Sequence, residues 1–534
     1  MDETSISDFK RFLENLRRTL ASEKIEYRAY QYWILNVVFK ARLRNENVII
    51  ELDAGMGKRI LAYLLAKVFE RDRILIISPS RASIWDMALK FNELSGSDEW
   101  FGVITGNQPR WLKEKYLREK RVILATPISL ARLLERLGEI ARFDIIIINE
   151  VDRVVRRVLR RYHTETTYNT ANIRYIEDVL GGSKEEQASK EYILIYPWSI
   201  LKKFLPEDAC WIGMSGTLRD EHYIIDNGNR VVVQKELDTI AQVLFPRRKL
   251  VIVTMDMLIE RTDIGDHISK NLTVIQPIPV IDENIKLLAN AISMEIDKVL
   301  DEIHKYNRRL YPEETTPLET KEKIMKTVSI LPDTNPLKIK FLRLALVRRH
   351  LFAGVPESYT RLLAKPMFRR ILREFAGVEL ESVLPKIPAK IERIIEIVQD
   401  WLSREKSVII LTSFIRTASR IASVLRDRGV DNILILTGRV PNKKWVIEKF
   451  KKTHPAVLIL TPVAERDLDF PEASLVIVHD VISTVKSMYQ RIKRARRSFV
   501  IILYYKDTYE EKKVKILLAR IARRYPWSIR IRGG

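Results

Sequence analysis

The sequence has little that would crosslink the chain or take it into a membrane. Its 534 residues include one cysteine, Cys210, which excludes an internal disulfide framework and a zinc site built from several cysteines. No apolar run approaches the roughly 18 residues of a membrane-spanning helix, and the acidic start at residues 1–4 does not resemble a signal peptide. We therefore predict a soluble, cytoplasmic protein with no membrane partner.

Acidic residues are also in short supply. Lys and Arg number 92 against 69 Asp and Glu, which gives a formal net charge of +23. A chain this basic favours a polyanionic partner, and nucleic acid is the first candidate, with a nucleoid-associated location. Its hydrophobic content of 46% suits globular domains, and its length allows about three of them at roughly 150 residues each.

One loop has the composition of a phosphate-binding site. The stretch Leu52–Arg59 lies between a strand-like apolar run and a helical pattern, and it contains Gly55, Gly57 and Lys58. A strand, a tight loop and a helix in that order aim backbone N–H groups and a lysine at one anion. Such loops normally continue with Ser or Thr, whose hydroxyl binds Mg²⁺, whereas Arg59 offers a cation and no acceptor. The sequence predicts a nucleotide loop that is altered at its metal position.

Short apolar runs alternate with helical patterns in both halves of the chain. In the first half the runs are residues 74–77, 103–104, 122–124 and 145–148, and in the second half they are 408–411, 433–436, 457–460, 475–478 and 499–504. Continuous apolar strands that alternate with helices predict parallel sheets covered on both faces. The loops that follow such strands form the binding edge of the sheet. Residues 281–376 instead show only long helical patterns.

The order of several motifs resembles that of superfamily 2 helicases. Tyr30-Gln31 is similar to the Q motif, Ala125-Thr126-Pro127 to the strand-contacting motif, and Met214-Ser215-Gly216-Thr217 stands in the place of the Ser/Thr-Ala-Thr/Ser motif. In the second half, residues 408–418 resemble motif IV, residues 461–472 resemble motif V of the archaeal Hef and Fanconi-M branch, and residues 490–497 resemble motif VI. This resemblance extends over roughly residues 25–515.

The resemblance implies an α/β fold with two RecA-like parallel-sheet domains and an all-helical, thumb-like insert between them. The expected boundaries are 1–235 for the N-terminal helices and first RecA-like domain, 236–280 for a connector, 281–385 for the insert, 386–515 for the second RecA-like domain and 516–534 for a basic tail.

The resemblance also implies the functional residues. For the nucleotide they are Gln31, Gly55, Gly57 and Lys58; as remnants of the catalytic machinery they are Glu150, Arg494 and Arg497; and for nucleic acid they include Arg81, Thr126, Thr461 and Gln490. No metal ligand is assigned.

A cluster of arginines adds to the expected nucleic-acid surface. Arg153, Arg156, Arg157, Arg160 and Arg161 follow a helical spacing that would place five guanidinium groups on one helical face. We expect this face to track phosphates. The alternative is a solvated surface compensated by nearby acidic residues.

Departures from the family pattern fall where the chemistry would occur. Asn149 stands where the family has the Mg²⁺-binding aspartate, and Asp467, Lys493 and Arg496 stand where it usually has glycine. A cation such as Arg59 held about 4 Å from another positive charge costs roughly 4 kcal/mol per unit charge at an effective dielectric of 20. We predict weak ATP binding and poor Mg²⁺ binding.

These features predict a catalytically degenerate, helicase-like protein that binds forked or duplex DNA in repair or fork processing. The Glu-Arg-Lys…Asp nuclease signature of Hef proteins is not found, so we expect a separate XPF-type nuclease as partner, contacting the insert and the basic tail around Trp527 and Ile529. Two alternatives stay open: an active but slow ATP-dependent DNA translocase, and a helicase-like protein that binds double-stranded RNA.

Overall fold

The computed structural model describes most of the chain. The described residues are 3–23, 25–153, 156–157, 192–193, 197–219, 221–225, 231–270, 272–308, 328, 331, 334–379, 383, 387–440, 442–462, 473–481, 485–493 and 499–532. They divide near residue 270 into two compact units. In the described part of the chain, no helix is long and apolar enough to cross a membrane.

The first unit alternates helices and strands. Its elements are α1 (Glu3–Ser22), α2 (Ala29–Leu43), β1 (Asn47–Glu51), α3 (Lys58–Val68), β2 (Ile74–Ile77), α4 (Arg81–Ser95), β3 (Phe101–Ile104), α5 (Arg110–Glu119), β4 (Val122–Ala125), α6 (Pro127–Leu137), β5 (Ile145–Asn149), a 3₁₀ turn (Val151–Arg153), β6 (Arg156–Arg157), β7 (Tyr192–Ile193), α7 (Trp198–Phe204), β8 (Cys210–Ser215), β9 (Glu221–Ile225), β10 (Val231–Lys235), α8 (Glu236–Val243), β11 (Leu250–Val253), α9 (Met255–Arg261) and α10 (Ile264–Ser269).

The second unit begins with a strand and continues through a run of helices. Its elements are β12 (Thr273–Val280), α11 (Glu283–Arg308), α12 (Pro336–Ala353), α13 (Pro356–Leu363), α14 (Pro366–Ala376), α15 (Ala389–Ser403), β13 (Val408–Leu411), α16 (Ile415–Asp427), β14 (Ile433–Leu436), α17 (Lys443–Lys452), β15 (Val457–Leu460), β16 (Leu475–Val478), α18 (Val485–Lys493), β17 (Phe499–Tyr505), α19 (Tyr509–Arg524) and β18 (Ile529–Ile531).

Each unit is built on a seven-stranded parallel sheet. The strand order is β11-β1-β8-β5-β2-β4-β3 in the first and β14-β15-β13-β16-β17-β12-β18 in the second. Every residue of β2, β4 and β5 is buried because helices cover both faces of the sheet, which accounts for the continuous apolar runs in the sequence. The predicted fold class, an α/β protein with two RecA-like parallel sheets, is confirmed.

The helices α11 to α14 correspond to the predicted insert. Their buried residues, such as Leu288 on α11 and Leu344 on α12, share one hydrophobic core with Ile394 on α15 and Ile410 on β13. The insert is therefore packed as part of the second unit and is not a separately cored domain.

The segments predicted as connector and tail both contain strands of the two sheets. Within 236–280, β11 pairs in parallel with β1 of the first sheet, and β12 pairs in parallel with β17 of the second. Within 516–534, β18 pairs with β12, and Ile529 is 7% exposed in the core of the second unit. These strands pair with residues far away in the chain, and local sequence patterns do not reveal such pairing.

The helix predicted for the arginine cluster is wrong where the backbone is described, at Arg153 and Arg156–Arg157. Arg153 ends a 3₁₀ turn, and Arg156–Arg157 form a short strand antiparallel to Tyr192–Ile193. Helical spacing has no meaning in an extended segment, so the argument for one shared face does not apply there. Arg160 and Arg161 lie outside the described residues.

Candidate nucleotide and nucleic-acid site

The loop between β1 and α3 has the backbone geometry of an anion cradle. Gly55 and Gly57 have φ values of 85° and 75°, in the left-handed region that favours glycine. Lys58 is the first residue of α3, and its Nζ donates to the carbonyl oxygens of Leu52 at 2.8 Å and Asp53 at 3.1 Å. The lysine thus lies against the loop at a helix N-terminus, where backbone N–H groups favour an anion.

Two residues of α2 contact this loop. The Tyr30 hydroxyl donates to the carbonyl oxygen of Met56 at 2.9 Å, and burial raises the pKa of Tyr30. Gln31 is 2% exposed, and a Cβ added to Gly57 would lie 2.8 Å from its Nε2. No hydrogen-bond acceptor contacts Nε2 within the described structure. Gln31 therefore keeps a spare donor beside the glycine, as a residue that binds a nucleotide would.

The end of β5 lacks the anionic ligand that a magnesium site needs. Asn149 is 8% exposed, and its Nδ2 donates to the Ser78 hydroxyl at 3.2 Å. Its Oδ1 is buried and accepts no hydrogen bond from the described residues. Because Mg²⁺ prefers carboxylate and phosphate oxygens, a neutral amide here offers a weaker ligand than aspartate.

The next carboxylate is held by a neighbouring arginine. Glu150 has φ 55°, uncommon for a residue other than glycine, and one of its carboxylate oxygens lies 3.0 Å from Arg153 Nε. The structure therefore brings together two predicted site residues, one assigned to catalysis and the other to nucleic acid. No group of three or more His, Cys, Asp or Glu side chains suited to a metal occurs among the described residues.

A link between two motifs was missed at the sequence level. The buried carboxylate of Asp152 accepts hydrogen bonds from the hydroxyls of Ser215 at 2.6 Å and Thr217 at 3.0 Å. The Ser215 carbonyl oxygen also accepts from the backbone N–H of Leu52 at 2.9 Å, at the start of the phosphate loop. The end of β5 is thus joined through β8 to the loop. Both motifs are visible in the sequence, with Asp152 at the end of one and Ser215 and Thr217 in the other. Their spacing along the chain does not show that these side chains are in contact.

The loops after β2, β3 and β4 form the predicted nucleic-acid edge of the first sheet. Arg81 begins α4, is exposed, and donates to Asn107 Oδ1 of the loop after β3 at 2.5 Å. Thr126 precedes the first residue of α6 and is 9% exposed, with its hydroxyl donating to the Ser129 hydroxyl at 3.0 Å. Arg81 is therefore available to a phosphate, whereas the Thr126 side chain is mostly enclosed.

The predicted residues of the second unit are mostly buried where they are described. Thr461 is 3% exposed at the end of β15, and Gln490 is half-buried on α18. On the same helix, Arg491 is 2% exposed and its Nη1 donates to the Asp480 carbonyl oxygen at 3.1 Å. Lys493 is 5% exposed. Arg494 and Arg497, with Asp467 and Arg496, lie outside the described residues.

Comparison with known proteins agrees with this arrangement. Residues 34–188 match the DEAD/DEAH box helicase family and residues 389–498 match the helicase conserved C-terminal domain. The chain resembles the crystal structure of the Pyrococcus furiosus Hef helicase domain with a TM-score of 0.52 at 16% identity, covering 92% of this chain and 98% of that one. At this identity the likeness concerns the fold alone.

Curated relatives match shorter segments. ATP-dependent RNA helicase DBP2 of Candida albicans is 23% identical over 251 residues, which are 47% of this chain and 38% of that protein. ATP-dependent rRNA helicase RRP3 of the same organism is 32% identical over 95 residues, 17% of this chain and 18% of that protein. The matched segments thus span less than half the length of these relatives. The DEAD/DEAH-box match supports nucleotide binding by the first unit.

Proposed function

We propose that this helicase-like protein of superfamily 2 binds nucleic acid but turns over ATP at a background rate. The observation that carries the proposal is the end of β5, where the amide of Asn149 donates to Ser78 and no carboxylate occupies that position. In phosphoryl transfer by helicase-type ATPases an aspartate there holds Mg²⁺. A neutral residue in its place removes one unit of negative charge from the metal site.

Two neighbouring cations weaken the site further. Arg59 follows Lys58 in the first turn of α3, where a nucleotide loop has its Mg²⁺-binding hydroxyl. The carboxylate of Glu150, which the family uses to orient the attacking water, is paired with Arg153 at 3.0 Å. A carboxylate oxygen engaged in that ion pair is less available to hold the attacking water.

The phosphate part of the site remains suitable for ATP. Lys58, the glycines at 55 and 57 and the N–H groups of α3 would hold the phosphates, and the spare donor of Gln31 would face the base. When bound, ATP supplies the phosphoanhydride bond whose cleavage would drive a motor. We propose that ATP binds weakly and that nucleic-acid binding does not depend on it.

Nucleic-acid binding is supported by the net charge of +23 and by the exposed Arg81 at the edge of the first sheet. We propose forked or duplex DNA in repair or fork processing as the substrate. The second candidate is RNA, which is favoured by the names of the curated relatives, ATP-dependent RNA helicases. Competition between labelled forked DNA and RNA of the same sequence would distinguish the two.

The deciding experiment measures ATP turnover with and without forked DNA and RNA. We expect background rates, unchanged in Lys58→Ala. Turnover of about 1 s⁻¹ or more that is abolished by Lys58→Ala would reject the proposal and support the slow translocase. Asn149→Asp is the matched variant, since it restores a negative charge at the metal-binding position with almost no change in the shape of the side chain. It should tighten Mg²⁺-dependent ATP binding measured by calorimetry, even if Arg59 still prevents turnover.

We further propose that the protein recruits a separate XPF-type nuclease. The insert offers a contact surface, because Met294 on α11 and Leu342 and Leu346 on α12 are 51%, 51% and 45% exposed. Exposed apolar side chains on neighbouring helices are typical of protein contacts. The protein should co-elute with a purified XPF-type nuclease and change its cleavage of forked DNA, and Leu342→Glu with Leu346→Glu should abolish both effects. If the wild-type protein neither co-elutes nor alters cleavage, recruitment is rejected.

A further inference from the structure

The two sheets have matching edges. In the first sheet the last four strands are β5-β2-β4-β3, and in the second the corresponding four are β16-β13-β15-β14. The chain passes through the four places of each group in the same order, so that β2, β3, β4 and β5 correspond to β13, β14, β15 and β16. The outermost strands are β3 and β14, and each pairs only with the strand beside it. The loops that follow β3 and β14 therefore occupy equivalent places in their own units.

The two loops are also alike in sequence and hydrogen bonding. Each begins with Thr-Gly, at Thr105 and at Thr437. In each, the backbone N–H three residues later donates to the threonine carbonyl oxygen, from Gln108 at 3.5 Å and from Val440 at 3.1 Å. Each loop then contains a proline before its helix begins. The same turn thus starts α5 in one unit and α17 in the other.

Each of these helices presents a tryptophan in its first turn. Trp111 is the second residue of α5 and is 65% exposed, and Trp445 is the third residue of α17 and is 55% exposed. The Asn442 side chain accepts from the backbone N–H of Trp445 at 3.1 Å, which fixes the start of α17. All nine tryptophans lie among the described residues, and of the other seven only Trp85 is exposed, at 41%. Placing the largest apolar side chain in water in the first turn of both helices gives no packing energy, so a ligand is the better explanation.

The surroundings of both tryptophans suit a polyanion. A lysine lies four residues further along each helix, Lys115 in α5 and Lys449 in α17, and Lys449 Nζ lies 5.2 Å from the centre of the Trp445 ring. The last turn of α17 adds two further lysines. On α5, Lys113 lies near Arg132 and Arg136 of α6, and burial together with these two cations lowers its pKa.

The acidic residues of these helices are largely engaged. Glu114 pairs with Arg110 at 2.6 Å, and Glu119 lies 4.0 Å from Lys115. On α17 the acidic residue is Glu448, among the lysines of a helix whose sequence is Lys-Lys-Trp-Val-Ile-Glu-Lys-Phe-Lys-Lys. Both surfaces therefore keep an excess of positive charge beside the exposed ring.

We propose that Trp111 and Trp445 are base-stacking positions for single-stranded nucleic acid, one on each RecA-like unit. This inference rests on the proposed nucleic-acid binding and adds that the bound strand is unpaired. Every base has a flat face that can stack on an indole, whatever the sequence, while the nearby lysines contact phosphates. In a duplex the bases are already stacked on one another, so the indoles select unpaired strands.

The test compares oligothymidine and oligouridine of equal length with an oligomer that has the same phosphates but abasic sugars. Binding is followed by the anisotropy of a label on the strand. The wild-type protein should bind the oligomers with bases more tightly than the abasic one. Trp111→Ala and Trp445→Ala should each lower affinity for them by about fivefold to a hundredfold, the range that loss of one base–aromatic stack gives. Neither variant should change binding of the abasic strand or of a duplex.

Phe replacements and a third tryptophan provide the controls. Trp111→Phe and Trp445→Phe keep a stacking ring and should restore most of the affinity, whereas Trp85→Ala removes an exposed indole on α4 and should have no effect. All are surface changes, and unchanged thermal unfolding would verify that each variant is folded. Preference for thymidine or uridine would identify DNA or RNA as the strand.

The outcomes separate this inference from the function on which it rests. If the wild-type protein binds oligomers with a steep salt dependence, yet binds the abasic strand equally well and the Ala variants bind as wild type does, stacking is rejected while nucleic-acid binding stands. If the wild-type protein binds no nucleic acid, both are rejected. If the Ala variants weaken duplex and abasic binding as much as single-strand binding, the tryptophans support a phosphate surface and the stacking role is wrong.

Discussion

Replacing Lys390 should destabilise the second unit by several kcal/mol. Lys390 is fully buried on α15, and its Nζ donates to Glu510 Oε1 of α19 at 2.6 Å and to the carbonyl oxygens of Phe352 and His479, each at 3.2 Å. The other Glu510 oxygen accepts from the backbone N–H of Tyr505 at 2.9 Å. Lys390→Met fills a similar volume but leaves a buried carboxylate without its cation.

Removing one partner of a buried ion pair typically costs 3–5 kcal/mol, because the remaining charge is left uncompensated. Two carbonyl oxygens also lose their donor in this variant, so we expect about 4 kcal/mol. Lys390→Met with Glu510→Gln should recover about half of that loss, since the introduced amide is neutral and its oxygen can still accept from Tyr505. The matched control is Lys515→Met on α19, whose exposed ammonium group pairs with Glu511 and should contribute little to stability.

The assay is hydrogen exchange in increasing urea, measured on peptides from β17 so that it reports on the second unit alone. A loss of about 4 kcal/mol should lower the urea midpoint by more than about 1 M for a slope near 3 kcal/mol per M. The loss should also grow with pH, because burial already raises the pKa of Glu510 and removing Lys390 raises it further. The pKa of this carboxyl group is then higher in the folded state than in the unfolded state. The stability that is present below the unfolded pKa is therefore lost as the pH rises through the folded pKa. A loss under about 1 kcal/mol, or no recovery when Glu510→Gln is added, would refute the reasoning.

Three further results are expected. Gly57→Ala should weaken nucleotide binding and lower stability by about 1 kcal/mol or more, because φ is 75° and the new Cβ would lie 2.8 Å from Gln31 Nε2; binding of a fluorescent nucleotide and thermal unfolding would measure both. Burial lowers the pKa of His479, so the unfolded chain takes up a proton that the folded chain excludes, and stability should fall as the pH drops below about 6.5 by an amount that His479→Gln reduces. Arg81→Ala should weaken nucleic-acid binding on all sequences alike and reduce the salt slope by about one, whereas an unchanged slope would remove Arg81 from the phosphate contacts.

The strands of the sheet centres could be predicted from the sequence because burial on both faces leaves a local signal. The runs at 74–77 and 408–411 are continuous Ile, Leu and Val, and they are β2 and β13 in the structure. The phosphate loop was predictable for a similar reason, since its glycines and lysine are adjacent in the chain. In both cases the information lies within a few residues.

Strands whose assignment depends on a distant partner were not predicted. β12 contains Pro277 and Pro279, which usually argue against a strand because proline has no N–H to donate. They are tolerated because β18 pairs only with Thr273–Ile275, so one edge of β12 is open at the prolines. Arg156–Arg157 likewise become extended by pairing with Tyr192–Ile193.

The site shows the same division between local and distant information. The sequence supplied Asn149 and Glu150 as altered and retained members of one motif. It did not show that Asn149 would bond to Ser78 of the loop after β2, that Arg153 would pair with Glu150, or that Asp152 would bind the hydroxyls of Ser215 and Thr217. Those contacts depend on which strands are neighbours in the sheet, and strand order is not encoded in local spacing.

The position of β12 has a consequence for how the protein is made. Val274 pairs with Phe499 and Ile275 with Ile531, so β12 leaves the ribosome before the whole insert and long before either partner strand. At roughly 5–20 residues per second, synthesis of the intervening chain takes on the order of ten seconds or more. Helical turns of α11 to α14 can form in that time through local contacts, but their shared core needs the later α15 and β13, and the partner strands of β12 are not yet made. A fragment of the second unit that omits either 273–280 or 499–531 would therefore keep an open strand edge and tend to aggregate.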